Sequence, residues 1–264
     1  MTFKNIFFTV DSGVARIVLN RPEKLNSLDA ETMVELHEAM SRIEADRQVR
    51  VLILGGAGRA FCAGQDLADP AMQEVDGKLP DIGNLVERYF KPLVMRLQSL
   101  QVPTVAAVQG LAAGGGASIA LACDLVVAAE SAYFLQAFSR IGLTPDTGST
   151  WFLTRSVGTV RALGLAMLAE KLPATKAAEW GLIWQVVEDS EFASTINALA
   201  VKIAQMPTKA LVRTRQLMHA ATGHSLEQQL SMEANFIREM GWSADYREGL
   251  QAFSQKRPPN FTGE

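Results

Sequence analysis

Apolar and β-branched residues cluster in two short runs near the start of the chain. Residues 6–10 and 14–19 have strand composition, and Asp11-Ser12-Gly13 between them predicts a hairpin turn. After Asp29, a residue type that caps helices, four apolar residues recur at helical spacing. They are Met33, Leu36, Met40 and Ile43. The pattern predicts a β-hairpin followed by an amphipathic helix that ends near Asp46.

Strongly apolar runs farther along predict buried strands at 49–54, 102–108 and 125–129, the last of them entirely apolar. Shorter strands are expected at 133–135 and 184–187, and helices at 85–100, 116–123, 192–205, 208–221, 225–240 and 244–255. After Asp146 the chain is also expected to be helical, most clearly at 159–168. Pro92 should kink a helix or start a new one. The strand–strand–helix rhythm predicts an α/β core over residues 1–195 and a C-terminal helical region over 196–264.

Composition narrows the class of protein. The chain has 264 residues, of which 48% are hydrophobic and 20% charged, and its net charge is -3, which is typical of a globular protein without a nucleic-acid partner. No apolar run reaches the roughly 18 residues that span a bilayer. Cys62 and Cys123 are too few for a disulfide framework or a zinc site. With no signal peptide evident after Met1, we expect a cytoplasmic, metal-free protein without a membrane partner.

Two glycine-containing loops each follow an apolar strand: a first loop at residues 61–67 and a second loop at residues 113–118. Small residues there let the backbone approach a ligand and leave peptide N–H groups free to point at it. The amide of Gln65, and the helix start at Gly114-Gly115-Gly116, could together hold a thioester oxygen as it becomes an enolate. Taken singly, each loop has a plainer interpretation, as a turn or as close packing of helix and strand.

Asp146 is the candidate general base, although a Pro-Asp-Thr-Gly segment also suits a turn residue that bonds its own backbone. Burial among apolar neighbours would raise its pKa, whereas the helix start near Ser149 would lower it, so the direction stays open here. The polar, proline-containing segment 68–83 suggests a mobile flap over the site.

At these residues the chain resembles the crotonase (enoyl-CoA hydratase/isomerase) superfamily. The resemblance rests on four motifs and extends over nearly the whole chain: residues 20–28 (NRPEKLNSL), the first loop (FCAGQDL), the Gly114-Gly115-Gly116 run and residues 122–125 (ACDL). It implies a crotonase-like spiral of repeated strand–strand–helix units with a C-terminal helical trimerisation region. It also implies a homotrimer or dimer of trimers and an acyl-CoA substrate, with coenzyme A present only as part of that substrate and no other cofactor.

The resemblance also assigns roles to individual residues. The main-chain N–H groups of Gln65 and Gly115 fall on the oxyanion hole. Five residues fall on segments that contact CoA: Lys24, Leu25, Ala63, Asp66 and Leu67. Phe253 and Lys256 match positions that reach CoA from a neighbouring subunit.

The departures from the family pattern bear on the reaction. Hydratases of the family carry glutamates where Ser118 and Phe138 stand in this chain, whereas Asp146 falls where isomerases carry their single acid. The resemblance therefore implies an acyl-CoA isomerase that removes a proton from C2. Segments 141–146, 180–187 and 243–249 further resemble members that convert a phenylacetyl-CoA ring epoxide to an oxepin and move a Δ3 double bond to Δ2. Enoyl-CoA hydration, a dehalogenase-like reaction with Asp146 as nucleophile, and non-catalytic acyl-CoA binding are the alternatives.

Overall fold

The computed structural model describes residues 3–264. Its strands are β1 (Ile6–Asp11), β2 (Val14–Leu19), β3 (Val51–Gly56), β4 (Ala60–Cys62), β5 (Thr104–Val108), β6 (Leu111–Ala113), β7 (Leu125–Ala129), β8 (Tyr133–Leu135), β9 (Leu172–Pro173) and β10 (Gln185–Val187). Its α-helices are α1 (Ala30–Ala45), α2 (Ile82–Leu85), α3 (Lys91–Ser99), α4 (Gly115–Leu121), α5 (Ser149–Leu168), α6 (Ala174–Glu179), α7 (Phe192–Ala204), α8 (Thr208–Ala221), α9 (Leu226–Gly241) and α10 (Ala244–Gln255). A π-helical turn, Val86–Phe90, joins α2 to α3.

The strands form a larger sheet in the order β1-β2-β3-β5-β7-β10 and a smaller sheet in the order β4-β6-β8-β9. The hairpin β1–β2 is antiparallel, as predicted, and β2, β3, β5, β7 and β10 run parallel. Each of β3, β5 and β7 is followed by a strand of the smaller sheet and then by helical structure. This repeated strand–strand–helix path, with helices at the C-terminal end, confirms the predicted fold class.

The central strands β3, β5 and β7 of the larger sheet are buried on both faces, which explains their mostly apolar composition. Along β3, Leu52 and Leu54 pack into the main core, whereas Val51 and Ile53 face a second apolar cluster. Helix α7 covers that second face with Ile196, Ala200, Ile203 and Ala204. Because α7 begins before residue 196 and packs on the sheet, it crosses the proposed division between core and helical region. That division stays a prediction.

Two helix starts follow the sequence pattern. Helix α5 begins at Ser149, as expected for the segment after Asp146, and is broken at Gly158, whose φ is +77°, so that the predicted piece at 159–168 is its second part. Pro92 lies in the first turn of α3, directly after the π-helical turn, where a missing N–H has the smallest cost. None of the helices in residues 3–264 is long and apolar enough to span a bilayer.

Candidate active site

A cavity of 250 Å³ lies between the first loop, the second loop and the turn that carries Asp146. The structure thus brings together Gln65, Gly115 and Asp146, the three residues proposed for chemistry. Most of the remaining lining is apolar: Ala63, Leu67, Met72, Ile82, Leu85, Val86, Phe90, Ala137, Phe138, Ile141 and Leu143. Met72 and Ile82 come from the segment at 68–83, which therefore contributes to the wall of the site.

The first loop directs the Gln65 amide towards this cavity. The backbone is extended, and the Leu28 main chain pairs with the loop by donating to Gly64 O (2.8 Å) and accepting from Asp66 N (2.9 Å). Because neighbouring peptide groups of an extended strand point in opposite directions, the N–H of Gln65 points away from Leu28. It donates to no acceptor within residues 3–264.

The second loop supplies another free amide at a helix start. Gly114 precedes α4 with φ +49°, and the first helical hydrogen bond runs from Ser118 N to Gly114 O (3.1 Å). The N–H of Gly115 therefore has no acceptor inside the helix, and the helix dipole adds partial positive charge to it. An oxygen that gains negative charge is stabilised at such a position.

The two loops approach so closely that glycine is required between them. Gly64 has φ +93°, and a Cβ atom placed on it would lie 3.0 Å from Ala113 O and 3.4 Å from Gly115 N. A Cβ atom on Gly116 would lie 2.5 Å from Cys62 O. The glycines thus serve both interpretations raised from the sequence, since they allow close packing and also leave the amides accessible.

Asp146 lies half-buried in the wall of the cavity. Burial raises the pKa of its carboxyl group, and the hydrogen bond donated by the Thr147 hydroxyl (2.7 Å to Oδ1) only partly offsets this effect. The direction that the sequence left open is therefore upward. A carboxylate with a raised pKa is a stronger base, as removal of a proton next to a thioester requires.

Arg21 and Asn26 hold the first loop in place, a role that sequence reasoning missed. Arg21 Nη2 forms ion pairs with Asp29 and Asp66 at 2.9 Å each. The buried Asn26 amide group bonds Arg21 N, Ala57 O and Ala60 O, and its backbone φ is +56°. The signal in the sequence was Asn26 itself, because asparagine tolerates positive φ better than other non-glycine residues.

The residues expected to contact CoA are distributed unevenly. Ala63 and Leu67 line the cavity, and Leu25 O accepts a hydrogen bond from Ala63 N (2.9 Å), which places Leu25 and the exposed Lys24 beside the first loop. The Asp66 carboxylate is directed towards Arg21 and Ala68 N, where it stabilises the loop. Which of these residues contact CoA stays a prediction.

Phe253 and Lys256 do not line the cavity of their own chain. Phe253 lies near the end of α10 with 87% of its surface exposed, and Lys256 follows as the C-cap. Their predicted contact with CoA requires a neighbouring subunit and stays a prediction.

The two positions that carry glutamates in hydratases have different environments. The Phe138 ring lines the cavity. Ser118 is fully buried; its hydroxyl donates to Gly114 O (3.1 Å) and lies 2.5 Å from the hydroxyl of Ser149. Neither position supplies an acid. Among the described residues that line the cavity, Asp146 is therefore the only one with a carboxylate. Arg140, which sequence reasoning also missed, lines the same cavity.

Comparison with known proteins identifies the family. The sequence model of the enoyl-CoA hydratase/isomerase family matches residues 9–264. The chain is 49% identical over 255 residues to the 1,2-epoxyphenylacetyl-CoA isomerase of Escherichia coli, with 97% of each chain covered. It is 44% identical over 263 residues to a Rhodobacter capsulatus protein named "Probable enoyl-CoA hydratase", with 100% of each covered.

Solved structures agree with the sequence comparisons. The crystal structure of an enoyl-CoA hydratase from Bacillus anthracis superposes with a TM-score of 0.91 at 32% identity, covering 99% of this chain and 100% of that one. The family match over nearly the whole chain, the superposition and the two glycine loops lead to one conclusion. This chain belongs to the enoyl-CoA hydratase/isomerase family, the crotonase superfamily.

Proposed function

We propose that the protein is an acyl-CoA isomerase that uses Asp146 as a base and the amides of Gln65 and Gly115 as an oxyanion hole. The observation that carries the proposal is the position of Asp146 on the same cavity as both free amides. The reaction needs no metal and no cofactor apart from the coenzyme A of the substrate.

In the proposed reaction the thioester oxygen accepts hydrogen bonds from the two amides. Asp146 removes a proton from C2, and the electrons of that C–H bond form the enolate, whose negative oxygen the amides stabilise. For a Δ3-enoyl chain, the enolate then collapses to a C2–C3 double bond while C4 takes the proton back from Asp146. These two steps move one proton and one double bond, and no water enters the product.

The preferred substrate we propose is the ring epoxide of phenylacetyl-CoA, which isomerises to an oxepin. An apolar cavity lined by Phe90, Phe138 and Leu143 suits an aromatic ring, and the E. coli relative is named for this reaction. C2 of the substrate again lies next to the thioester, so the same base and oxyanion hole serve both reactions.

Hydration is the second candidate, because the R. capsulatus relative is named as a hydratase. Addition of water requires one group to activate water and another to protonate carbon. With Ser118 buried against Ser149 and Phe138 as an apolar wall, the described cavity offers Asp146 for only one of these tasks. Rapid hydration of crotonyl-CoA would favour this candidate over the isomerase.

The proposal is tested by ¹H NMR of phenylacetyl-CoA with the enzyme in D₂O. We expect deuterium to replace the C2 protons, because an enolate held in the site takes up deuterium when it collapses. The assay avoids the unstable epoxide. An enzyme that binds phenylacetyl-CoA and leaves its C2 protons in place over hours would contradict the proposal.

Replacement of Gln65 by alanine should change turnover by less than about threefold, because the proposed donor is the main-chain N–H. The side chain makes only a long hydrogen bond to Asp66 O (3.4 Å). C2 exchange and thermal unfolding of Gln65→Ala measure the effect. Complete loss of exchange in a folded variant would show that the side chain, and not the backbone, acts on the substrate.

We further propose that the protein is cytoplasmic and assembles as a homotrimer or dimer of trimers. The C-terminal helices expose large apolar side chains, among them Leu230, Ile237, Trp242 and Phe253. Apolar surface of this extent is typical of an interface between subunits.

A further inference from the structure

We infer that Thr147 is a positioning residue for the proposed base, since its hydroxyl holds the Asp146 carboxylate on the cavity that Gly115 also lines. The inference rests on the proposed role of Asp146. It concerns a residue next to the base that the proposed mechanism does not otherwise use.

The backbone at Thr147 is unfavourable for its residue type. Ser149 N donates to Asp146 O (2.9 Å), which closes a four-residue turn, and both central residues have positive φ: +53° at Thr147 and +82° at Gly148. This is the φ pattern of a type I′ turn, in which asparagine, aspartate or glycine is favoured at the first central position. A β-branched residue there is a genuine outlier. Such strain persists where the surroundings hold it, often at functional sites.

The contacts of the Thr147 side chain indicate what the strain achieves. Thr147 is only 4% exposed, and its hydroxyl donates to Asp146 Oδ1 at 2.7 Å. The same oxygen would lie 3.5 Å from a Cβ atom on Gly115, so the hydroxyl lies near the first turn of α4. One side chain therefore bonds the base and lies near the helix start that supplies an oxyanion donor.

Within the described residues, the Asp146 carboxylate accepts a hydrogen bond through only one of its two oxygens. Within residues 3–264, Asp146 Oδ2 has no hydrogen-bond donor, so it is free to take a proton from the substrate. The Thr147 hydroxyl thus orients the carboxylate through Oδ1 without occupying the oxygen that would react.

The end of the turn is anchored to the same helix. Ser149 is fully buried, and its hydroxyl lies 2.5 Å from that of Ser118 in α4. The turn between Asp146 and Ser149 is thereby attached to α4 through Ser149, close to the Thr147 hydroxyl. This attachment helps to maintain the strained backbone.

Few charges lie around Asp146. Helix α4 (Gly115–Leu121) carries no titratable side chain, and the helical turn at 137–141 contributes Arg140, whose guanidinium donates to Ala169 O. In the first loop, the Asp66 carboxylate is paired with Arg21. On the segment at 82–90, Glu87 is paired with Lys91 and Arg88 lies over the Tyr89 ring. The pKa of Asp146 is therefore set by burial, which raises it, and by the Thr147 hydroxyl, which lowers it.

The test compares Thr147→Val, which removes the hydroxyl and keeps the branched shape, with Thr147→Ser, which keeps the hydroxyl. The Asp146 carboxyl is titrated by ¹³C NMR with labelled aspartate, and Asp146→Asn identifies the signal. We expect Thr147→Val to raise the pKa of Asp146 further, since the charged form loses a hydrogen bond. Thr147→Ser should titrate like the wild type.

The kinetic measurement is made at pH values where the rate no longer depends on pH. There, kcat for C2 exchange should fall about 10-fold in Thr147→Val with KM unchanged.

Thr147→Gly is the second hydroxyl-free variant, in case the valine variant does not fold. Glycine suits the positive φ, so this variant should fold and show the same rise in the pKa of Asp146. A wild-type titration in either folded hydroxyl-free variant would overturn the inference, as would a serine variant that behaves like the valine variant. If Asp146→Asn retains full activity, the proposed function fails, while the titration still decides whether Thr147 controls the carboxylate.

Discussion

Replacement of Asp146 by asparagine is expected to lower the rate of C2 exchange and of Δ3 to Δ2 isomerisation by about 10²- to 10⁴-fold, the usual contribution of a general base. Asparagine keeps the size of the side chain and can still accept from the Thr147 hydroxyl, but it cannot take a proton. Because binding of the CoA portion is unaffected, the loss should appear in kcat. Single-turnover assays with a Δ3-enoyl-CoA, together with C2 exchange, measure it.

Asp76→Asn is the matched control, since Asp76 is an exposed acid in the segment that borders the cavity and asparagine tolerates its φ of +51°. It should behave like the wild type. Full activity of Asp146→Asn would remove the base from the mechanism. A covalent ester trapped on Asp146 would instead favour the dehalogenase-like alternative, and tight CoA binding without exchange would favour a non-catalytic protein.

The raised pKa of Asp146 gives this prediction a pH dependence. The base acts when ionised, so kcat/KM should fall as the pH drops through a pKa above the ordinary aspartate value of 3.8. The free energy of unfolding depends on pH in the opposite sense: it falls as the pH rises. The reason is that the folded state binds the Asp146 proton more tightly than the unfolded state. The stabilisation from the protonated carboxyl is complete below the unfolded pKa and is lost as the pH rises through the folded pKa. At neutral pH, Asp146→Asn should therefore melt at a higher temperature than the wild type.

Replacement of Gly64 by alanine is expected to lower turnover by roughly 10²- to 10³-fold, the usual cost of removing an oxyanion-hole donor. The added methyl group would lie 3.4 Å from Gly115 N and 3.0 Å from Ala113 O. It would crowd the space between the two loops and displace the Gln65 amide. Rates of C2 exchange should fall, while the pKa of Asp146, across the cavity, should stay unchanged.

Gly181→Ala is the matched control for backbone strain. Gly181 also has positive φ (+76°), but a Cβ atom there would meet nothing within 4 Å. Both variants carry the strain of alanine at positive φ, so both should melt at a lower temperature, and only Gly64→Ala should lose activity. Equal activity of the two variants would show that the space between the loops is not the oxyanion hole.

Local patterns predicted the longer elements well. The hairpin, helix α1 with its Asp29 cap and the strands β3, β5 and β7 follow the sequence pattern, because each buries enough apolar side chains to leave a periodic or continuous apolar signal. The short strands β4 and β6 were missed. They pair with each other only because the chain turns back after β3 and β5, which is a long-range effect.

The sequence by itself determined which chemical groups this protein has: glycine loops that leave amides free, a single acid at position 146 and no glutamate at 118 or 138. Only the tertiary structure decided that Asp146 shares a cavity with Gln65 and Gly115, that its pKa is raised, and that the Asp66 carboxylate is bound by Arg21. The physical reason is that burial and through-space contacts set a carboxylate's protonation and orientation. The burial of Asp146 depends on segments that lie far apart along the chain, although its Thr147 partner is the next residue.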